Sequence, residues 1–229
     1  MTEGPLPLNR DTYLPFVLHT IWTELPRFLW GAFLFNLCCA PAFVLFSLGF
    51  LAPTLLVGLL LMAPAWAALQ ADQLNLLQGA NRPYAYFGQM FVYYGRRALQ
   101  LGLLLILPLL AIRLTLPALA QNAVPNALWL WVGILFFILA VSTALSLYTF
   151  SLLVYFDHDV LTTLRNGWIL TVRHPLHTVG LLGMAILFGF GVVYLSLGLL
   201  LLLPAFYSIL LVANCLLVLA VNSDKITLS

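Results

Sequence analysis

His174 and His177 stand three residues apart, a spacing that can put two imidazoles on one helix face, and Asp157-His158-Asp159 precedes them in the same polar stretch. Such residues are the raw material of a metal site. Pro175 lies between the two histidines, however, and no cysteine or glutamate joins them. They read as polar side chains solvated at a membrane interface, and no metal or cofactor is expected. Arg96, Arg97, Arg165 and Arg173, with His174 beside the last, form a second group. Guanidinium groups at a boundary attract anionic headgroups, each worth about 1 kcal/mol near the surface, or dock a partner's acidic residues; both readings stand. Arg113 is a third candidate, because a charge centred in lipid costs several kcal/mol and is usually functional. It lies near the end of its apolar run, within snorkelling reach of an interface. Asn36 and Asn214, with Gln100, Ser142, Thr143 and Ser146, are polar residues inside or at the edges of apolar runs. They read as interhelical hydrogen-bonding groups, with a solute path as the alternative.

Nothing here points to catalysis. Gly-x-Ser-x-Gly, phosphate-loop and His-Glu-x-x-His patterns are absent from the sequence, as are paired carboxylates within an apolar run. The expectation is a protein that is not an enzyme.

The elements that must carry these residues follow from composition. About a quarter of a soluble domain is charged; here 7% is charged, 63% is hydrophobic and the mean hydropathy is +1.07. A chain of 229 residues with so little polar surface must face lipid or other helices. The class is all-α, a polytopic membrane helix bundle. A net charge of +2, spread along the chain, gives no reason to expect a nucleic-acid partner. Cys38, Cys39 and Cys215 lie in apolar runs and read as small buried residues. No basic segment leads into an apolar core and cleavage site within residues 1–27, so no cleaved signal peptide is expected.

Residues 1–27 read as a tail followed by an interfacial helix over 12–25, and residues 222–229 as a second tail. Between them, 28–221 forms one domain of six spans, at about 28–51, 54–69 (or continuing towards Asp72), 98–119, 127–155, 178–198 and 204–221. Ala52-Pro53 is expected to turn the chain, and Pro41 to kink the first span. Gly58, Gly133, Gly180 and the glycines that follow are expected to let helices approach closely. Two amphipathic segments complete the layout. Phe87, Met90, Phe91 and Tyr94 form one apolar stripe, and Leu161, Leu164, Trp168 and Val172 another, with Asp159 as N-cap and Pro175 starting the next helix. Each ends in basic residues, Arg96-Arg97 and Arg173-His174, and is read as an elbow that lies on the surface and then turns into the bilayer.

Eight of the nine basic residues fall in alternate connections, with Arg113 the exception. The positive-inside rule therefore puts both termini and both elbows in the cytoplasm. Residues 95–104 lie against 172–181, Arg96 over Arg173 and Leu99 over Leu176, so 54–119 and 127–198 read as a parallel internal repeat.

Two proline-marked opening spans, Arg96-Arg97 before a span, and Leu164-Arg165-Asn166-Gly167-Trp168 leading to Arg173-His174-Pro175 make the chain resemble the YesL-like family of bacterial integral membrane proteins, over roughly residues 20–220. The resemblance implies a multi-pass protein of the prokaryotic plasma membrane with an accessory role beside carbohydrate uptake, and supplies no functional residues. Two functions are carried forward. One is a non-enzymatic accessory or scaffold subunit of a larger membrane complex, in contact with anionic headgroups and with other subunits. The other is a small-solute carrier or channel with its path at the repeat interface.

Overall fold

In the computed structural model the described residues, 13–80, 82–119, 126–194 and 197–223, form eight helices and no strand. These are α1 (Tyr13–Thr23), α2 (Leu25–Ser47), α3 (Leu51–Leu77), α4 (Tyr86–Leu119), α5 (Asn126–Phe156), α6 (Val160–Arg173), α7 (Pro175–Tyr194) and α8 (Leu197–Ser223). Five of them (α2, α3, α4, α5 and α8) hold a stretch long and apolar enough to cross a membrane, and the bent pair α6–α7 makes six if it counts as one span. This fits a multi-pass membrane protein. The tails, residues 121–125 and the junction at 195–196 lie outside the described residues. Pro204, expected at the start of the last span, is inside α8.

The turn expected at Ala52-Pro53 falls earlier. Gly49 adopts φ +80, its N–H bonds the Phe46 carbonyl at 2.9 Å, and the Phe50 N–H bonds the Leu45 carbonyl at 3.0 Å. That pair of bonds closes a helix with glycine in the left-handed conformation. Pro53 then sits in the first turn of α3, where its missing N–H costs nothing. Gly79 (φ +66) ends α3 in the same way, with its own N–H and that of Ala80 on the Leu76 and Asn75 carbonyls.

The second span was expected to end near Leu69; α3 instead runs unbroken to Leu77. Pro64 is accommodated within the helix, and no glycine or proline follows it before Gly79. Its two halves differ. Every position from Ala63 to Leu77 except Trp66 is buried, whereas none from Leu51 to Met62 is. Ala63, Ala65, Ala67, Ala68 and Ala71 keep this half thin, which lets surrounding backbones close in. Helices α1, α2, α4, α5 and α8 all pack against α3. Aromatic contacts tie the ring together: Phe28 on Phe206 (centroids 5.1 Å), Phe35 on Trp66 (5.6 Å) and Trp66 on Tyr207 (6.3 Å).

Helix α1 forms where expected. Val17 and Ile21 face the bundle and Leu14, Leu18 and Trp22 face outward. The Tyr13 hydroxyl donates to the Leu210 carbonyl at 2.9 Å, and burial raises its pKa, which keeps the donor proton in place.

The two elbows part company. Between α6 and α7 the chain bends by 100°. His174 at the bend has φ −125, ψ 59, as follows when the next residue is proline and disfavours the helical region before it. The first elbow does not exist: α4 is one helix through Arg96 and Arg97. The repeat alignment sets Ala98, wholly buried, where the second copy has Pro175. The alanine lets the helix continue, whereas α6 ends before Pro175; Pro41, Pro64 and Pro204 by contrast are accommodated inside their helices. The repeat units consequently differ in shape. Helices α3 and α4 pack closely, while α7 leaves α5 to lie on α8, with Phe188 against Tyr207 (5.5 Å) and the Tyr207 hydroxyl on the Leu181 carbonyl (3.3 Å).

Of the glycines expected to bring helices together, Gly58 stands in ordinary contact distance of Ala42 on α2, Gly133, Gly180 and Gly183 do not approach a neighbour, and Gly189, Gly191 and Gly198 are not among the glycines whose surroundings are described. A Cβ added at Gly102 would lie 2.8 Å from both the Ala63 Cβ and the Leu59 Cδ1, whereas at Gly133, Gly180 or Gly183 it would meet nothing within 4 Å. The Ala63 Cβ cannot rotate away. Gly102→Ala should therefore lower stability by about 1–3 kcal/mol, while Gly133→Ala should be neutral or slightly stabilising. Thermal unfolding of the two variants in detergent checks this, and equal effects would contradict the packing.

Candidate functional site

The enclosed half of α3 carries an unusual load of polar side chains. Gln70 and Gln73, both fully buried, sit three residues apart on one helical face. The Ser151 hydroxyl of α5 donates to Gln70 Oε1 at 3.0 Å. Gln70 Nε2, both polar atoms of Gln73, and Ser208 Oγ on α8 are buried with no partner. Leaving such a group unsatisfied costs about 1–3 kcal/mol, so four orphan atoms in one bundle are a feature to be explained. Asp72 is also buried. It faces Gly31 of α2, where an added Cβ would come within 2.8 Å of Oδ2. Arg27 is the cation that acts on this carboxylate. Its Nη1 donates to the Ala80 carbonyl at 2.8 Å, and its Nη2 is buried without a partner. Asn75 turns back on its own helix, donating to the Ala71 carbonyl at 2.8 Å. Sequence reasoning missed this group because it treated 70–97 as a surface connection. The available signal was the lack of any glycine or proline between Pro64 and Gly79.

A second polar cluster joins α4 to the end of α5. Asp157 adopts φ +54 just past α5, a conformation aspartate tolerates better than most residues. There its Oδ1 meets Arg97 Nη1 at 2.6 Å and its Oδ2 accepts from the Tyr93 hydroxyl at 2.6 Å. The Arg97 guanidinium also lies 5.8 Å from the Tyr93 ring centre, and the Tyr94 hydroxyl donates to the Val154 carbonyl at 3.3 Å. Arg97 is thus engaged within the chain, whereas Arg96 next to it is exposed.

The elbow α6–α7 carries the remaining candidates. Asp159 takes the N-cap position with extended backbone, and its carbonyl accepts from the Thr163 amide (3.0 Å) and hydroxyl (2.9 Å). Its carboxylate makes no capping hydrogen bond to an amide. The nearby Thr162 hydroxyl holds it below the usual carboxylate range. Thr163, Gly167 and Leu170 face the bundle, with Gly167 so close to α5 that a Cβ would lie 2.6 Å from Thr149 Cγ2. Of the expected stripe, Leu161, Trp168 and Val172 are exposed, as are Arg165 and Arg173, whereas Leu164 turns inward and packs against the core. The His174 and His177 rings meet edge-on at 6.0 Å. Among the described residues no three His, Cys, Asp or Glu side chains gather to hold a metal. His177 instead lines an open groove of about 440 Å³, together with Leu176, Gly180, Leu181, Met184 and Asn214 of α8. Asn214 Oδ1 is buried there without a partner. Asn36 donates to its own helix at the Ala32 carbonyl, 2.8 Å away. The Arg113 side chain lies outside the described residues.

Two substitutions probe these clusters. Gln73→Leu removes two unsatisfied buried atoms and should raise stability by about 1–3 kcal/mol. A clear loss in detergent unfolding would mean that the amide is satisfied by ordered water. Asp157→Ala should cost about 1 kcal/mol, little because the ion pair is partly exposed, while Asp157→Asn, which keeps the acceptor for Tyr93 and the backbone preference, should lose less. Compared with protein families, with curated proteins and with solved structures, the chain returns no match in any of the three.

Proposed function

We propose that this chain is a non-enzymatic subunit of the prokaryotic plasma membrane, with both termini cytoplasmic, acting as an accessory or scaffold for a larger membrane complex. The carrying observation is the elbow. Its inner face of Thr163, Gly167 and Leu170 anchors it to the bundle, while Trp168, Val172, Arg165 and Arg173 are exposed. An amphipathic helix of this kind lies in the interface, with apolar side chains in the acyl boundary and arginines at the headgroups. With Arg97 held by Asp157, the exposed arginines among the candidate contact residues are Arg96, Arg165 and Arg173. The alternation of basic connections supports the orientation, and the resemblance to YesL-like proteins favours an uptake system as the complex.

A second reading, a small-solute carrier, is favoured by one observation. Gln70 and Ser151 meet where the first helices of the two repeat units touch, and unpaired amide groups lie beside that contact. Carriers place polar groups at such repeat interfaces.

Mild-detergent purification from the native host separates the two readings. A stoichiometric partner that is lost on replacing Arg96, Arg165 and Arg173 together by Gln is the expected outcome. Retention of the partner by the triple variant sinks elbow docking. Solute flux by the purified chain alone in liposomes, reduced by Gln70→Leu, would establish the carrier instead.

A further inference from the structure

Asp157, His158 and Asp159 alone connect α5 to the elbow helix α6. With so few residues between two helices, the backbone of each one helps to set the direction in which α6 leaves. Asp157 takes the left-handed region at φ +54, where the Cβ of an L-residue is crowded. Contacts from outside the connection hold it there, because all three of its oxygens turn to α4. Its Oδ1 meets Arg97 Nη1 at 2.6 Å, and its Oδ2 accepts from the Tyr93 hydroxyl at 2.6 Å. Its main-chain carbonyl accepts from Arg97 Nη1 at 3.3 Å. Tyr93 and Arg97 stand four residues apart, on one face of α4. Beside them the Tyr94 hydroxyl donates to the Val154 carbonyl at 3.3 Å.

The beginning of α6 has little else to fix it. No residue from Asp157 to Thr162 is fully buried, and no side-chain hydrogen bond caps the helix. Close packing takes over only from Thr163 onward, with Gly167 against Thr149 of α5. We propose that Tyr93, Arg97 and Asp157 form a latch by which α4 sets the pose of the elbow. The latch is electrostatic and partly open to solvent, with the Arg97 and Asp157 side chains 36% and 45% exposed, so dissolved salt weakens it. The proposal rests on the reading of the elbow as the contact surface and adds what positions that surface.

Hydrogen exchange on the full chain in detergent, resolved peptide by peptide, tests it. Arg97→Gln leaves the connecting backbone untouched. It should speed exchange at residues 163–167, the first amides of α6 with helical acceptors. The expected change is about five-fold, the equivalent of one partly exposed ion pair, while residues 63–77 of α3 keep their protection. Asp157→Gly, which accepts a positive φ without strain, should loosen the same amides, and the two changes together no more than either alone. Raising salt to about 1 M should loosen the unaltered chain and leave Arg97→Gln as it is. Unchanged exchange at 163–167, effects that add in the double variant, or equal loosening of 63–77 overturns the latch. If the variants do not fold, the salt series on the unaltered chain decides alone. Purification of Arg97→Gln from the native host keeps the two failures apart. A partner retained on a loosened elbow defeats the docking reading and leaves the latch standing, whereas an elbow that stays tight defeats the latch alone.

Discussion

The bundle depends on one half of one helix being surrounded on all sides. From Ala63 to Leu77, α3 has no face left for lipid or water apart from the partly exposed Trp66. Small side chains on some of its faces let neighbouring helices close in on it, because each neighbour's distance is set by what protrudes between the axes. Five alanines help to meet that condition on α3; Gly102 of α4 faces Ala63, and Gly31 of α2 makes room for Asp72 and Leu69. The other helices then take their places around a thin central rod, and their outer faces go to lipid.

Enclosure has a chemical consequence. Gln70, Asp72, Gln73 and Asn75 cannot reach solvent along such a rod, so each must find a partner inside or remain unsatisfied. Some do: Ser151 serves Gln70, and the Ala71 carbonyl serves Asn75. Others do not, and Gln73 keeps both its amide groups unpaired. Alkyl side chains would pack there without that penalty. Polar groups retained against it, at the meeting of α3, α5 and α8, are the strongest mark of function in the interior.

At the basic boundary a single residue type separates two otherwise similar segments. Where Pro175 follows the basic pair, α6 ends and the chain bends by 100° into α7, which lies on α8. Where Ala98 follows, the helix continues and Arg96 and Arg97 simply project from it. Arg97 finds Asp157, whose left-handed backbone turns its carboxylate towards α4. The swing of α7 onto α8 also creates the groove that His177 and Asn214 line.

Composition and periodicity alone determined the all-helical class of this protein, most of its long apolar helices, the existence of α1 and most of the outward stripe of α6, because each follows from which residues tolerate hydrocarbon and at what helical spacing. They also led to the elbow at Pro175, since proline acts locally on the residue before it. Only the tertiary structure decided that residues 70–77 belong to the core, that α4 is unbroken, that Gly31, Gly102 and Gly167 are the close-approach glycines, and that Arg97 is paired. The reason is the same in each case. Whether a polar or small residue faces water, lipid or another helix depends on neighbours distant in sequence, and an amide on a rod of alanines carries no local sign of how many helices will surround it.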